Sequence, residues 1–274
     1  MNTKLIKESK LYNWQNDYDL SKLINIFVDK VDIRFVGGCL RDILLGLELK
    51  DIDLAIDCEP YNTIKILKEN KINYLDNGLE FGTVIALINN IKYEITSLRK
   101  DIRTDGRFAK VEYTNNWDED SLRRDFTINA IYLSPNGNIF DPFNGTSDIK
   151  NQKILFIGDS EKRIKEDYLR IIRFYRFLGI FKYPIYREID LALANNNFEK
   201  MISIVSNNKI KKELEKMIKN KYCLNSFLVK FKYSDLKYKN LLEKLESIWL
   251  RDNYNRGMEV INICKKIINV NKYN

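Results

Sequence analysis

Two short segments of this 274-residue chain carry residue types at spacings suited to phosphate chemistry: Gly37-Gly38-Cys39-Leu40-Arg41-Asp42 and, soon after, Asp51-Ile52-Asp53. Two glycines between an apolar run and a helix leave backbone N–H groups open to an anion, because glycine permits close approach and a helix start favours negative charge. Aspartates two apart on a strand project to one face, where their hard oxygens can share Mg²⁺ ions. Glu94 lies in a second strand-like run. If that strand pairs beside Asp53, three acids from two strands make the arrangement for two-metal catalysis, one ion activating a hydroxyl and the other holding phosphates. Taken alone, a D-x-D also reads as a strand edge with exposed acids.

Further along, Arg123 and Arg124 can neutralise phosphates, and Asp125 can accept a hydrogen bond from a ribose hydroxyl while an arginine orients it. The same segment also reads as a polar helix start packed through Phe126 and Ile128. In a helix predicted over 161–178, Arg163, Asp167, Arg170, Arg173 and Arg176 recur at spacings of three and four, along one side. The ordinary reading is a salt-bridged solvent face. A carboxylate beside a guanidinium, however, presents an acceptor and a donor fork that can pair with the edge of a base. The chain has no histidine, which excludes Ser-His-Asp and Cys-His nucleophilic sites, His-ligated zinc and imidazole acid–base catalysis. The four cysteines, Cys39, Cys58, Cys223 and Cys264, form no C-x-x-C pair, so neither a zinc site nor a disulfide framework is expected, and a reducing compartment fits.

The elements that must position these groups differ between the two parts of the chain. A helix is predicted over 18–30 with Ser21 as cap, a strand over 33–38, a short helix over 39–46 closed by Gly46, and a strand over 51–57. Segments 82–90 and 91–97 read as a hairpin around Asn89 and Asn90. The charge-dense stretch 99–110 reads as a mobile loop, and Ser134-Pro135-Asn136-Gly137 and Asp141-Pro142 with Asn144-Gly145 as turns. From about residue 159 the pattern is helical, with no internal repeat. Length suggests about two domains with a real core. The net charge of +8 is unevenly placed: residues 200–274 hold 17 Lys+Arg against 7 Asp+Glu. Such a surplus attracts a polyanion backbone, and equally fits a solvated lysine-rich surface. The N-terminus has no signal or organelle presequence, and no apolar run approaches the ~18 residues of a membrane span, so a cytoplasmic protein without a membrane partner is expected.

In combination, GGCLRDILLG and DIDLAID resemble the head of the nucleotidyltransferase superfamily, in the branch of tRNA CCA-adding enzymes and bacterial poly(A) polymerases. GTVIALINNIKYEITSLRKD (82–101) looks like that branch's hairpin with the third carboxylate, RRDFTINA (123–130) is close to its most distinctive motif, and DPFNGTSDI (141–149) looks like its hinge motif. EDYLRIIRFYRF (166–177) is similar to its base-reading helix, and VSNNKIKKELEKM (205–217) more loosely to its neck motif. The resemblance spans roughly residues 20–220. It implies an α+β fold: an N-terminal nucleotidyltransferase head over 1–155 with a mixed or antiparallel sheet and flanking helices, an all-helical neck over 156–220, and a shortened basic body over 221–274 that binds tRNA. It further implies template-independent addition of C, C and A to tRNA 3′ ends from CTP and ATP, with two Mg²⁺ ions on Asp51 and Asp53 and Glu94 as third acid. Gly37, Gly38, Arg41, Arg124 and Asn129 would hold the triphosphate, and Asp125 would sense the ribose. Asp167 and Arg170 would read the base, supported by Glu166 and Arg173. Residues 99–113, with Arg99, Arg103, Asp105, Arg107 and Phe108, correspond to a flexible loop used in the switch to the final A.

The chain departs from this pattern in places. Phe81 stands where a histidine commonly precedes Gly-Thr-Val, and Asn208 and Lys209 replace a Glu-Arg pair of the neck. Family members extend well past residue 220, so the basic residues 221–274 are expected to grip tRNA in reduced form, or a partner protein to supply the rest. The rival readings are a partial A-adding or CC-adding activity, a poly(A) polymerase, and a non-catalytic RNA-binding relative. Residues 58–74 lack the Arg-rich signature usual in bacterial poly(A) polymerases, and a protein that only binds RNA has no physical need of an acidic cluster facing it.

Overall fold

The computed structural model describes residues 3–104, 109–223, 225 and 226. The chain divides into two compact units, residues 1–151 with 155–158, and residues 152–154 with 159–274. The first unit begins with α1 (Thr3–Lys7) and α2 (Tyr18–Asn25). The helix α2 is shorter than its apolar spacing predicts. Its cap is Asp17, whose side chain accepts from the Leu20 N–H at 2.9 Å, while Ser21 donates to the Tyr18 carbonyl inside the first turn. A carboxylate one residue before the helix meets the unpaired amides directly, which a serine within it cannot do.

Next come β1 (Ile33–Val36), α3 (Gly38–Leu44), β2 (Ile52–Ile56), α4 (Pro60–Glu69), β3 (Asn73–Gly78), β4 (Thr83–Ile88) and β5 (Ile91–Ser97). With β8 (Tyr132–Leu133) and β9 (Ile139–Phe140) the strands build a seven-stranded sheet in the order β3-β4-β5-β2-β1-β8-β9. All its pairings are antiparallel except β2 with β5. The fold is α+β, as expected. In β4 burial alternates residue by residue, so Val84, Ala86 and Ile88 enter the core while Thr83, Ile85 and Leu87 face outward. Asn89 and Asn90, both at positive φ (48° and 66°), make the tight turn into β5. The core of this unit includes the fully buried Leu20, Leu23, Ile24, Phe27, Phe35, Tyr93 and Tyr132.

Part of the stretch read as a mobile loop is ordered. Its flanks form a separate antiparallel ribbon of β6 (Arg99–Thr104) and β7 (Ala109–Tyr113). Pairing between the two strands satisfies backbone groups that the charge-dense sequence gave no reason to expect in a ladder. Asp105, Arg107 and Phe108 lie outside the described residues, and Arg103 occupies a β6 backbone position paired with Lys110. The unit closes with α5 (Trp117–Leu122) and α6 (Gly145–Lys150). A Cβ on Gly145 would overlap the Thr127 carbonyl, so glycine alone lets α6 pack there, and Asp141 fixes its start by accepting from the Gly145 and Thr146 amides.

In the second unit the helix predicted over 161–178 is two helices, α7 (Ser160–Glu166) and α8 (Leu169–Leu178). Asp167 breaks it: its backbone is extended (φ −148°, ψ 103°) and its side chain accepts from the Leu169 N–H at 3.0 Å, competing with helix continuation. After α9 (Glu188–Asn196) and α10 (Phe198–Ile204), α11 (Asn207–Ile218) packs on α8. Asn208 and Lys209 are exposed in its first turn. Among the described residues no helix is long and apolar enough to cross a membrane.

Candidate active site

The carboxylates converge through strand pairing. β2 and β5 run parallel with Asp53 directly beside Glu94, so both side chains leave the same face of the sheet. Asp51 lies one residue before β2 and is exposed, so the chain rather than the strand carries it to this edge. Burial, reinforced by Glu94, raises the Asp53 pKa to about 6 against the pull of Arg124, with Asp51 adding to the rise and Arg41 opposing it. The desolvated Asp53 carboxylate beside Glu94 stores repulsion that a divalent cation relieves, and an all-oxygen donor set suits Mg²⁺. Among the described residues no three acids or thiols are already gathered into a metal cage. Asp51, Asp53 and Glu94 are the residues that could hold such ions.

The glycine pair joins this edge to the arginines. Gly37 takes a left-handed φ of 74° and its amide donates to the Ile131 carbonyl, turning the chain from β1 into α3. A Cβ on Gly37 would meet Arg124 Nη1 at 3.5 Å, and one on Gly38 would meet Arg41 Nη2 at 3.6 Å and Asp53 Oδ2 at 3.7 Å. Acid, backbone and two guanidinium groups are thus adjacent, with no glycine side chain between them. Cys39 lies beneath, its thiol bonded to the Val36 carbonyl and pushed up to about 12 by burial and by Asp53, so it is inert packing.

Asn129 and Asp125 form a chain with Arg41. Arg41 Nη1 donates to Asn129 Oδ1 at 2.7 Å, and Asn129 Nδ2 donates to Asp125 Oδ1 at 2.9 Å. Both ends of the Asn129 amide therefore engage protein groups, which makes this residue an organiser of Arg41.

Sequence reasoning missed Asp120. It is fully buried in α5; its Oδ1 accepts from Arg123 Nε at 2.8 Å, and its Oδ2 accepts from Arg124 Nη2 at 2.9 Å and the Tyr132 hydroxyl at 2.8 Å. Burial opposes its ionisation, yet Arg124 and Arg123 hold its carboxyl well below the usual range. An acid three and four residues before two arginines, within an otherwise helical run, is the signal that could have revealed it.

In the second unit, Arg170 is buried and donates to Glu166 Oε2 at 2.9 Å and to the Arg163 carbonyl at 2.7 Å. Arg163 shares the same Glu166 oxygen at 2.5 Å. Arg173 and Arg176 both pair with Glu213 of α11, at 3.5 and 2.6 Å. The arginine row is therefore a largely buried network and not a solvent face, with exposed Asp167 at its head.

Residues 33–155 match the family model described as the Poly A polymerase head domain. The chain is 43% identical over 162 residues to the human CCA tRNA nucleotidyltransferase 1, mitochondrial, covering 58% of this chain and 37% of that protein. It is 38% identical over 191 residues to the CCA-adding enzyme of Bacillus pumilus strain SAFR-032, covering 69% and 46%. The chain thus spans about half or less of the length of these curated relatives. Its fold resembles the crystal structure of the Bacillus stearothermophilus CCA-adding enzyme in complex with CTP, with a TM-score of 0.73 at 23% identity, over 92% of this chain and 68% of that one.

Proposed function

We propose that the chain, whose residues 33–155 match the family model described as the Poly A polymerase head domain, is a tRNA nucleotidyltransferase that adds C, C and A to tRNA 3′ ends from CTP and ATP. The observation that carries this reading is the pairing of Asp53 with Glu94 beside a glycine turn flanked by Arg41 and Arg124. Carboxylates for cations and guanidinium groups for phosphates then meet on the central strands β2 and β5 and the turn after β1, which is what nucleotidyl transfer needs.

Asp51 and Asp53, with Glu94 as third acid, would hold Mg²⁺ ions, which when bound would supply Lewis acidity toward the primer hydroxyl and the phosphates. Arg41 and Arg124, with the backbone of Gly37 and Gly38, orient the triphosphate so that the α-phosphorus faces that hydroxyl. The O3′–P bond forms as the bond to pyrophosphate breaks, and the arginines meet the charge that collects on the leaving group. Asp125, oriented by Asn129, offers an acceptor to the ribose. Asp167 and Arg170 serve base selection, with Glu166 fixing the Arg170 fork.

The test offers tRNA transcripts ending before CCA, after C and after CC with CTP, ATP or both in the presence of Mg²⁺. Stepwise completion of all three is expected, and Asp53→Ala should reduce incorporation by at least about 10³-fold with an unchanged circular dichroism spectrum. Addition of A to the CC-ended transcript alone would instead identify an A-adding enzyme, and full turnover by Asp53→Ala would sink the site assignment.

A further inference from the structure

In-line displacement places the attacking hydroxyl and the departing pyrophosphate on opposite sides of the phosphorus. In the sheet order the glycine turn, which follows β1, lies on one side of Asp53, which leaves the β5-β4-β3 side for the hydroxyl. One cross-strand row runs there from the acids to the sheet edge: Asp53 beside Glu94, Glu94 beside Ile85, and Ile85 beside Leu75. Directly paired residues share a face, so two acids continue into two aliphatic side chains. Ile85 is half-buried and Leu75 is 38% exposed. The neighbouring row brings exposed Lys92 beside Leu87. On the other flank the Thr83 and Thr96 hydroxyls bond each other at 3.0 Å. The reverse face of β4 and β5 packs on α4, and among the described residues Glu94, Lys92 and Leu75 of this face are exposed.

We propose that this row is the seat of the last nucleotide of the RNA acceptor strand, with ribose and base resting on Ile85 and Leu75 and Lys92 meeting the adjoining phosphodiester. The inference rests on the nucleotidyl-transfer reading of the site. At a strand spacing of about 4.8 Å, Ile85 and Leu75 lie within about 10 Å of Glu94, close enough for a nucleotide whose 3′-oxygen is at the acids. The chemistry suits the task. A primer that grows by C, C and A ends in the tRNA's own last base at the first cycle and in C at the next two, so the seat must hold the flat face of more than one base without reading its edge. Apolar contact does this, and a single lysine meets a phosphodiester regardless of sequence.

The test uses the full chain and the same three tRNA transcripts. Leu75→Glu and Lys92→Glu, both at exposed positions, should raise the KM for every transcript about tenfold, corresponding to about 1.4 kcal/mol, with the KM for CTP and ATP and kcat within about twofold. Leu75→Met should restore the unmodified KM, and Val28→Glu, at an exposed apolar position on the turn after α2, should leave it unchanged. In EDTA, a transcript ending in a 4-thiouridine should cross-link to the peptide spanning residues 73–92. An unchanged transcript KM, an equal rise for transcript and nucleotide, or a cross-link confined to other peptides overturns the proposal. Absence of incorporation by the unmodified chain would overturn the reading of the site instead, and the cross-link would then decide the face by itself.

Discussion

Asp120 gathers several groups of the candidate site around one buried carboxylate. A single buried carboxylate holds both arginines of the Arg123-Arg124-Asp125 run together with the Tyr132 hydroxyl. Removing its charge leaves two guanidinium groups poorly compensated, an effect of about 3–5 kcal/mol for a buried pair. Asp120→Asn should therefore unfold at lower denaturant concentration, and the nucleotide KM should rise because Arg124 loses its anchor. The sign of the pH dependence follows from the depressed pKa. The contribution of Asp120 is fully present above the unfolded carboxylate value and is lost as pH falls toward the folded one, so the stability gap between wild type and variant should be constant from about pH 8 to 5 and shrink below about pH 4. A gap that widens in acid would contradict this.

At the scale of elements, periodicity located the strands well and the interruptions poorly. The alternation in β4 and β5 and the two asparagines between them are local signals, and the hairpin formed where they placed it. The ribbon β6–β7 was unreadable because charged residues interrupt its few apolar ones and only cross-strand pairing makes it a strand pair. The break at Asp167 escaped the helical spacing because Arg163, Arg170, Arg173 and Arg176 are spaced as they would be on one helix. Their burial, in turn, depends on Glu166 and on Glu213, which arrives from an element forty residues away in sequence. Glu213→Ala should cost about 3–5 kcal/mol by removing the carboxylate that meets Arg173 and Arg176, read as a lowered Tm of the chain. A conservative Glu213→Gln should recover part of that loss. A Tm unchanged in Glu213→Ala would show that the pairing at α8 and α11 adds nothing to stability.

For the whole molecule, charge placement matters more than the net +8. With 17 Lys+Arg against 7 Asp+Glu, residues 200–274 hold the entire basic surplus, and RNA affinity should fall steeply with salt through the release of counterions. Charge-reversing pairs of lysines in that region should flatten the slope of log affinity against log salt without moving the nucleotide KM. An unaltered slope would mean that the surplus is only a solvated surface. From its residues alone, the chain specified its hairpin and glycine turn and the residue types of a phosphate site without histidine, because turns and two-residue periods are written locally, while its α+β class followed from the family resemblance. Only the tertiary structure decided that β2 and β5 pair in parallel so that Glu94 stands beside Asp53, that Asp120 is buried under two arginines, and that the row of acids runs on into Ile85 and Leu75. Strand order and long-range register arise from how separate faces bury one another, and no local pattern encodes that.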